Sequence, residues 1–186
     1  MRMISLFLLA PGLVALAACA KYEAGLASPR SSHDILFGIK AVADSKDLTD
    51  VDFVGKRLQI DLIKSPEMPV YEGADQLILG YRSEVKQRGG AKEYQLQNFH
   101  YGIFRPRDKN FERVIISVSM NVAEICIGPA DVRGVFHEVD RSVNPHASWS
   151  SFSYDSPKMK GVRAYFRFGE DECLRGFGFF QNNKKE

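Results

Sequence analysis

The stretch Phe111-Glu112-Arg113-Val114-Ile115-Ile116-Ser117-Val118-Ser119-Met120 decides the fold class. Val114, Ile116, Val118 and Met120 fall on one side of an extended chain, and Arg113, Ser117 and Ser119 on the other. A period of two with one apolar side marks an antiparallel strand that buries one face and leaves the other wet. The strand is expected to run from Phe111 to Val122.

Working upstream, two further strands precede it. Gln76 to Val85 places Leu77, Leu79, Tyr81 and Val85 on one face, Gly89-Gly90 is expected to turn the chain, and Tyr94 to Phe104 is rich in aromatic and alternating residues. Pro106, Asp108 and Asn110 supply the turn into Phe111. Ser65 to Gly73, with Pro66, Pro69 and Gly73, reads as loop. Before it, Asp47 to Leu58 spaces Leu48, Val51, Val54 and Leu58 near a helical period, with Thr49 or Asp47 as N-cap. Val51-Asp52-Phe53-Val54 is also compatible with an extended chain, and Asp34 to Ala43 fits a short helix or an entry strand equally well.

Downstream the order repeats. Pro129 to Val139 is expected to be helical: Pro129 suits the first turn, and Val132, Val135, Phe136 and Val139 fall at i, i+3, i+4 and i+7. After a break at Asn144-Pro145 come strands at Ser148 to Tyr154, Val162 to Phe168 and Cys173 to Gln181. Asp155-Ser156-Pro157 and the acidic turn Gly169-Glu170-Asp171-Glu172 separate them, and Asn182 to Glu186 forms a polar tail. The class is α+β, an antiparallel sheet with helices packed on one face. Either a helix and three strands occur twice, in halves 34–122 and 123–181, or one sheet of six or seven strands carries one or two helices.

The N-terminus carries an address. One charge at Arg2 precedes an apolar run from Ile4 to Ala15, too short to span a bilayer, which takes roughly 20 residues. Leu16-Ala17-Ala18-Cys19 follows and resembles the lipobox of bacterial lipoproteins. The resemblance implies that residues 1–18 are a signal peptide, that the Cys19 thiolate takes a diacylglyceryl group, and that the new amine is acylated. Ala20, where an Asp would favour the inner membrane, implies the outer membrane and its periplasmic face. Residues 19–33 then form a lipidated N-terminus and tether, and 34–186 the periplasmic domain.

Composition bounds the rest. With Arg2 removed from 25, the mature chain holds 24 Lys and Arg against 23 Asp and Glu, without the basic stripe of a nucleic-acid binder. A hydrophobic fraction of 45% supports a real core. Of three cysteines, Cys19 is assigned to lipid, which leaves Cys126 and Cys173 as an even pair in an oxidising compartment and hence an expected disulfide. Neither has a second Cys or His at zinc-ligand spacing.

Residues 127–180 carry a second resemblance. Pro129-Ala130-Asp131-Val132 opening a helix, and Val162-Arg163-Ala164-Tyr165-Phe166-Arg167-Phe168 with its acidic turn, look like the helix-then-three-strands unit of β-lactamase-inhibitor-like proteins and small outer-membrane assembly lipoproteins. Phe136-His137-Glu138 stands where that group often closes its helix with Gly-x-Pro.

No nucleophile elbow, His-Glu-x-x-His or phosphate-binding loop occurs. A hydrolase would have to combine His100 or His137 with Asp140 and a serine. Glu170-Asp171-Glu172 lacks the spaced oxygen ligands of a calcium loop and reads as a solvated turn. No catalytic residue, metal or cofactor is assigned. The candidate binding residues are Trp149, Arg163, Tyr165 and Arg167, expected on one open sheet face that Arg175 and Phe177 extend. Trp, Tyr and Arg are the types enriched at binding hot spots. The expected function is a lipid-anchored module that grips a periplasmic protein, as an immunity or inhibitor lipoprotein against an envelope-targeting toxin or hydrolase. An accessory role in envelope assembly and a hydrolase with a dispersed site are the alternatives.

Overall fold

The computed structural model of the chain describes residues 30–45, 47–73, 77–143, 150–158 and 161–184. Among these residues the order is α1 (Ser32–Ala43), α2 (Val51–Leu58), β1 (Ile60–Lys64), β2 (Met68–Glu72), β3 (Leu77–Gly90), β4 (Tyr94–Pro106), β5 (Phe111–Met120), α3 (Pro129–Phe136), β6 (Asp140–Val143), β7 (Ser150–Asp155), β8 (Val162–Phe168) and β9 (Leu174–Lys184). The class is α+β. All strand pairs are antiparallel in one sheet of order β1-β3-β4-β5-β9-β8-β7-β6, with β2 also on β3. The strands form one continuous sheet, in which two meanders, β3-β4-β5 and β6-β7-β8-β9, are joined where β5 pairs with β9.

The sheet exceeds the expected six or seven strands because three short edge strands escape the alternation test. β2 lies inside the stretch read as loop, and pairs Met68 to Glu72 with Arg82 to Leu77. Pro69 is tolerated there because an edge strand can lack a donor. β1 pairs with the rest of β3, including Gly89 and Gly90, so the expected Gly89-Gly90 turn is strand. The turn comes at Ala91 to Glu93, closed by the Tyr94 N–H donating to the Ala91 carbonyl (3.2 Å). β6 is the third short strand.

The helices start where side-chain oxygens satisfy free backbone N–H groups. Ser31 and Asp34 form a reciprocal capping box, which resolves the ambiguous segment after residue 33 as helix and begins it at Ser32, inside the stretch read as tether. Asp50 caps α2 by accepting from the Phe53 N–H at 3.0 Å, in place of the expected Thr49 or Asp47; Asp47 accepts from the Thr49 N–H instead. α3 opens on Pro129 as expected but ends at Phe136, because His137 takes a left-handed φ of 51° that stops the helix before Val139.

Ile35, Leu36, Ile39 and Val42 of α1, Val54 and Leu58 of α2, and Val132, Val135 and Phe136 of α3 join the inward strand residues in one core cluster. Phe136 packs edge-on to Phe166 (4.8 Å between centroids) and Tyr154 (4.9 Å). The α1–α2 connection is fixed by polar bonds: the Leu48 N–H donates to Gln181 Oε1 at 2.8 Å, and the Tyr101 hydroxyl donates to the Leu48 carbonyl. Burial, with the charges of Asp47 and Asp50, raises the Tyr101 pKa, so this donor stays protonated. The expected Cys126–Cys173 disulfide is present, Cα–Cα 5.0 Å, and ties the chain before α3 to the start of β9. Arg30 pairs with Glu93 (2.8 Å) and donates to the Tyr94 hydroxyl (3.0 Å), pinning the start of α1 to the β3–β4 turn.

Candidate functional site

In β8, Val162, Ala164, Phe166 and Phe168 are buried, so Arg163, Tyr165 and Arg167 lie on the second face. The register extends that face across the sheet. One row runs Gly102, Ile115, Phe180, Arg163, Asp155, and the next His100, Ser117, Gly178, Tyr165, Ser153, Asp140. A third runs Ser119, Gly176, Arg167, Ser151, Ser142.

The three described binding candidates thus share a face but differ in what they are free to do. Arg163 is engaged with Asp155, its cross-strand partner, through Nε (2.8 Å) and Nη2 (2.9 Å). Those bonds and the Asp155 charge raise the Arg163 pKa. Tyr165 lies across Gly178, where any side chain would collide with its ring and with the Ile116 carbonyl, and its hydroxyl donates to that carbonyl at 3.3 Å. It is a strut across β9 as much as an exposed ring. Arg167 is exposed over Gly176, with Nη2 3.8 Å from where a Cβ would stand, and forms no ion pair or hydrogen bond among the described residues. Beside it is a trough of about 340 Å³ whose lining joins Ser117, Ser151, Arg167 and Gly176 to the apolar Val118, Phe166 and Phe177. Trp149, like Cys19, lies outside the described residues.

Phe177 does not extend this face. It is buried against Phe179 and Tyr94, because the bulge at the start of β9 sets its odd positions inward. Arg175 pairs with Asp171 at 2.7 Å. Two residues of the face went unread: Ile115 and Phe180, directly paired and 46% and 40% exposed. Alternation could have found both, since each is out of phase with a buried neighbour, Ile116 and Phe179.

The other candidates are dispersed. His100 is exposed on β4 and His137 caps α3, and neither hydrogen-bonds an acid or a serine among the described residues. In the acidic turn Asp171 accepts from the Cys173 N–H (3.2 Å) as well as pairing with Arg175, and no group of three potential metal ligands occurs among the described residues.

A second polar centre was not foreseen. Asp44, after α1, accepts from the hydroxyls of Tyr154 (2.8 Å) and Ser156 (2.9 Å) and from Lys40 Nζ (3.1 Å), and Lys40 also donates to the Tyr154 hydroxyl (2.9 Å). It borders a cleft of about 560 Å³ between α1, α2 and the β7–β8 loop. Burial alone would raise the Asp44 pKa, but the bonds from Tyr154, Lys40 and Ser156 outweigh it and hold the carboxyl below its usual range. Burial opposes the charge on Lys40, yet its bonds to Tyr154 and Asp44 keep its pKa raised. These bonds fasten α1 to β7.

No protein-family model, curated protein or solved structure matches the chain. The two resemblances therefore rest on the residues that carry them.

Proposed function

We propose that the protein is a lipid-anchored periplasmic binding module, held at the outer membrane by acylated Cys19, whose outward sheet face grips another protein. In this reading the three helices all cover the inward face and leave the other open. Their apolar residues merging into one core with a single set of strand positions supports that arrangement. The observation that carries the reading is the exposed Ile115–Phe180 pair, set beside Arg163, Tyr165 and Arg167. Exposed apolar residues bordered by Tyr and Arg are the makings of an interface centre. A small domain with a disulfide, a tether and such a face suits occlusion of a partner, as an immunity or inhibitor lipoprotein does.

Two measurements test this. Cys19→Ala is expected to abolish lipid labelling and move the protein out of the membrane fraction; unchanged labelling contradicts the anchor. A partner recovered from envelope extracts is expected to lose affinity for Phe180→Asp by about 30-fold or more, the scale of a hot-spot residue. Undiminished binding contradicts the face.

A further inference from the structure

Resting on that reading, we propose that the trough at Gly176 seats a carboxylate from an extended acidic segment of the partner, with Arg167 as its counter-charge. Three observations converge. The outward carboxylates Glu84 and Asp155 are already matched, by Arg82 (2.5 Å) and Arg163, and Asp140 stands on β6, two strands from Arg167 on β8, with no bond to it. Arg167 alone of the three β8 candidates keeps a guanidinium without a partner among the described residues. Gly176 beneath it carries no side chain, and Ser117 and Ser151 line the same trough. A guanidinium pairs bidentately with a carboxylate, and does so more strongly in a partly dry recess than on open surface.

The geometry also sets the spacing of the partner's residues. Along β9, Gly176 and Phe180 lie four residues apart, a span of about 13 Å in an extended chain. A segment lying along β9 would therefore bring an acidic residue to Arg167 and, four positions away, an apolar one to Ile115 and Phe180. A small free anion would leave the apolar pair uncovered, which favours a protein segment.

The probe is a blocked, uncharged-background heptapeptide with glutamate second and phenylalanine sixth, made in both chain directions, beside twins with glutamine in place of glutamate. Each is titrated into the full chain in detergent micelles while the amide signals of Gly176, Ser151 and Phe180 are followed by NMR. In one direction the glutamate peptide is expected to bind at least ten-fold more tightly than its twin. Arg167→Gln is expected to erase that advantage and Arg167→Glu to reverse it, and added salt to shrink it. Equal affinity of the twins, no shift at these amides with either direction, or displacement by acetate at the peptide's own affinity overturns the inference. Shifts at Phe180 without a carboxylate preference would remove this inference and leave the binding face standing. A recovered partner indifferent to Phe180→Asp would remove the face itself.

Discussion

The two faces of β8 come from the same seven residues and follow different rules. Inward, Val162, Ala164, Phe166 and Phe168 are buried, with Phe166 packed on Phe136 and Phe168 on Phe152. Outward, Arg163 is paired, Tyr165 is laid over a glycine, and Arg167 has no partner among the described residues. Volume decides the first face. On the second, long side chains reach for charged and backbone partners across the strands, which occupies Arg163 and Tyr165.

The sharpest way to break the contrast is on the inward side. Phe166→Ala is expected to cost about 3–5 kcal/mol, because Phe136 cannot collapse into the space. Thermal or urea unfolding checks this, and a loss under 1 kcal/mol would show the inward face is not close-packed. Removing the disulfide with Cys126→Ser and Cys173→Ser together is expected to cost about 4 kcal/mol on the chain-entropy account, from a sequence separation of 47 residues.

Asp44→Asn tests whether α1 is fastened to β7 by chemistry as well as packing. The loss is expected to be about 1–3 kcal/mol at neutral pH, as for a half-buried acceptor whose donors are stranded. The sign with pH follows from the lowered folded pKa. A depressed carboxyl contributes its stability fully above the unfolded value near about 4, and loses it as pH falls through the folded value. The gap between wild type and Asp44→Asn should therefore be flat from about pH 6 to 8 and close in acid. Urea midpoints across pH measure it, and a gap that widens in acid would contradict the assigned charge state.

Much of the fold was legible, and what was missed has physical reasons. β5 and β8 declare themselves because each has one dry face, so hydrophobicity alternates along them. β1, β2 and β6 do not, since short edge strands bury little and Pro69 argues locally for loop. Gly89-Gly90 carries a turn signature, yet β1 pairs with it and holds it extended. Of the site, the shared direction of Arg163, Tyr165 and Arg167 could be read from period two alone. That Tyr165 spans Gly178, or that Asp155 claims Arg163, depends on register between strands and is invisible within one segment. The Asp44 cluster joins positions more than 100 residues apart.

The smallest effects separate strut from contact on the outward face. Tyr165→Phe is expected to cost about 0.5–1 kcal/mol through the bond to Ile116, while Arg167→Ala should stay within about 0.5 kcal/mol of wild type. Chemical denaturation of both checks this. A large loss at Arg167 would mean its charge is used internally.

Site-specific photo-crosslinking in living cells tests the central claim most directly, with the crosslinker placed in turn at Phe180 on the outward face and at Arg133 on the exposed side of α3. One protein is expected to be captured through position 180 and none through position 133. Equal capture from both positions, or capture from α3 alone, would contradict it.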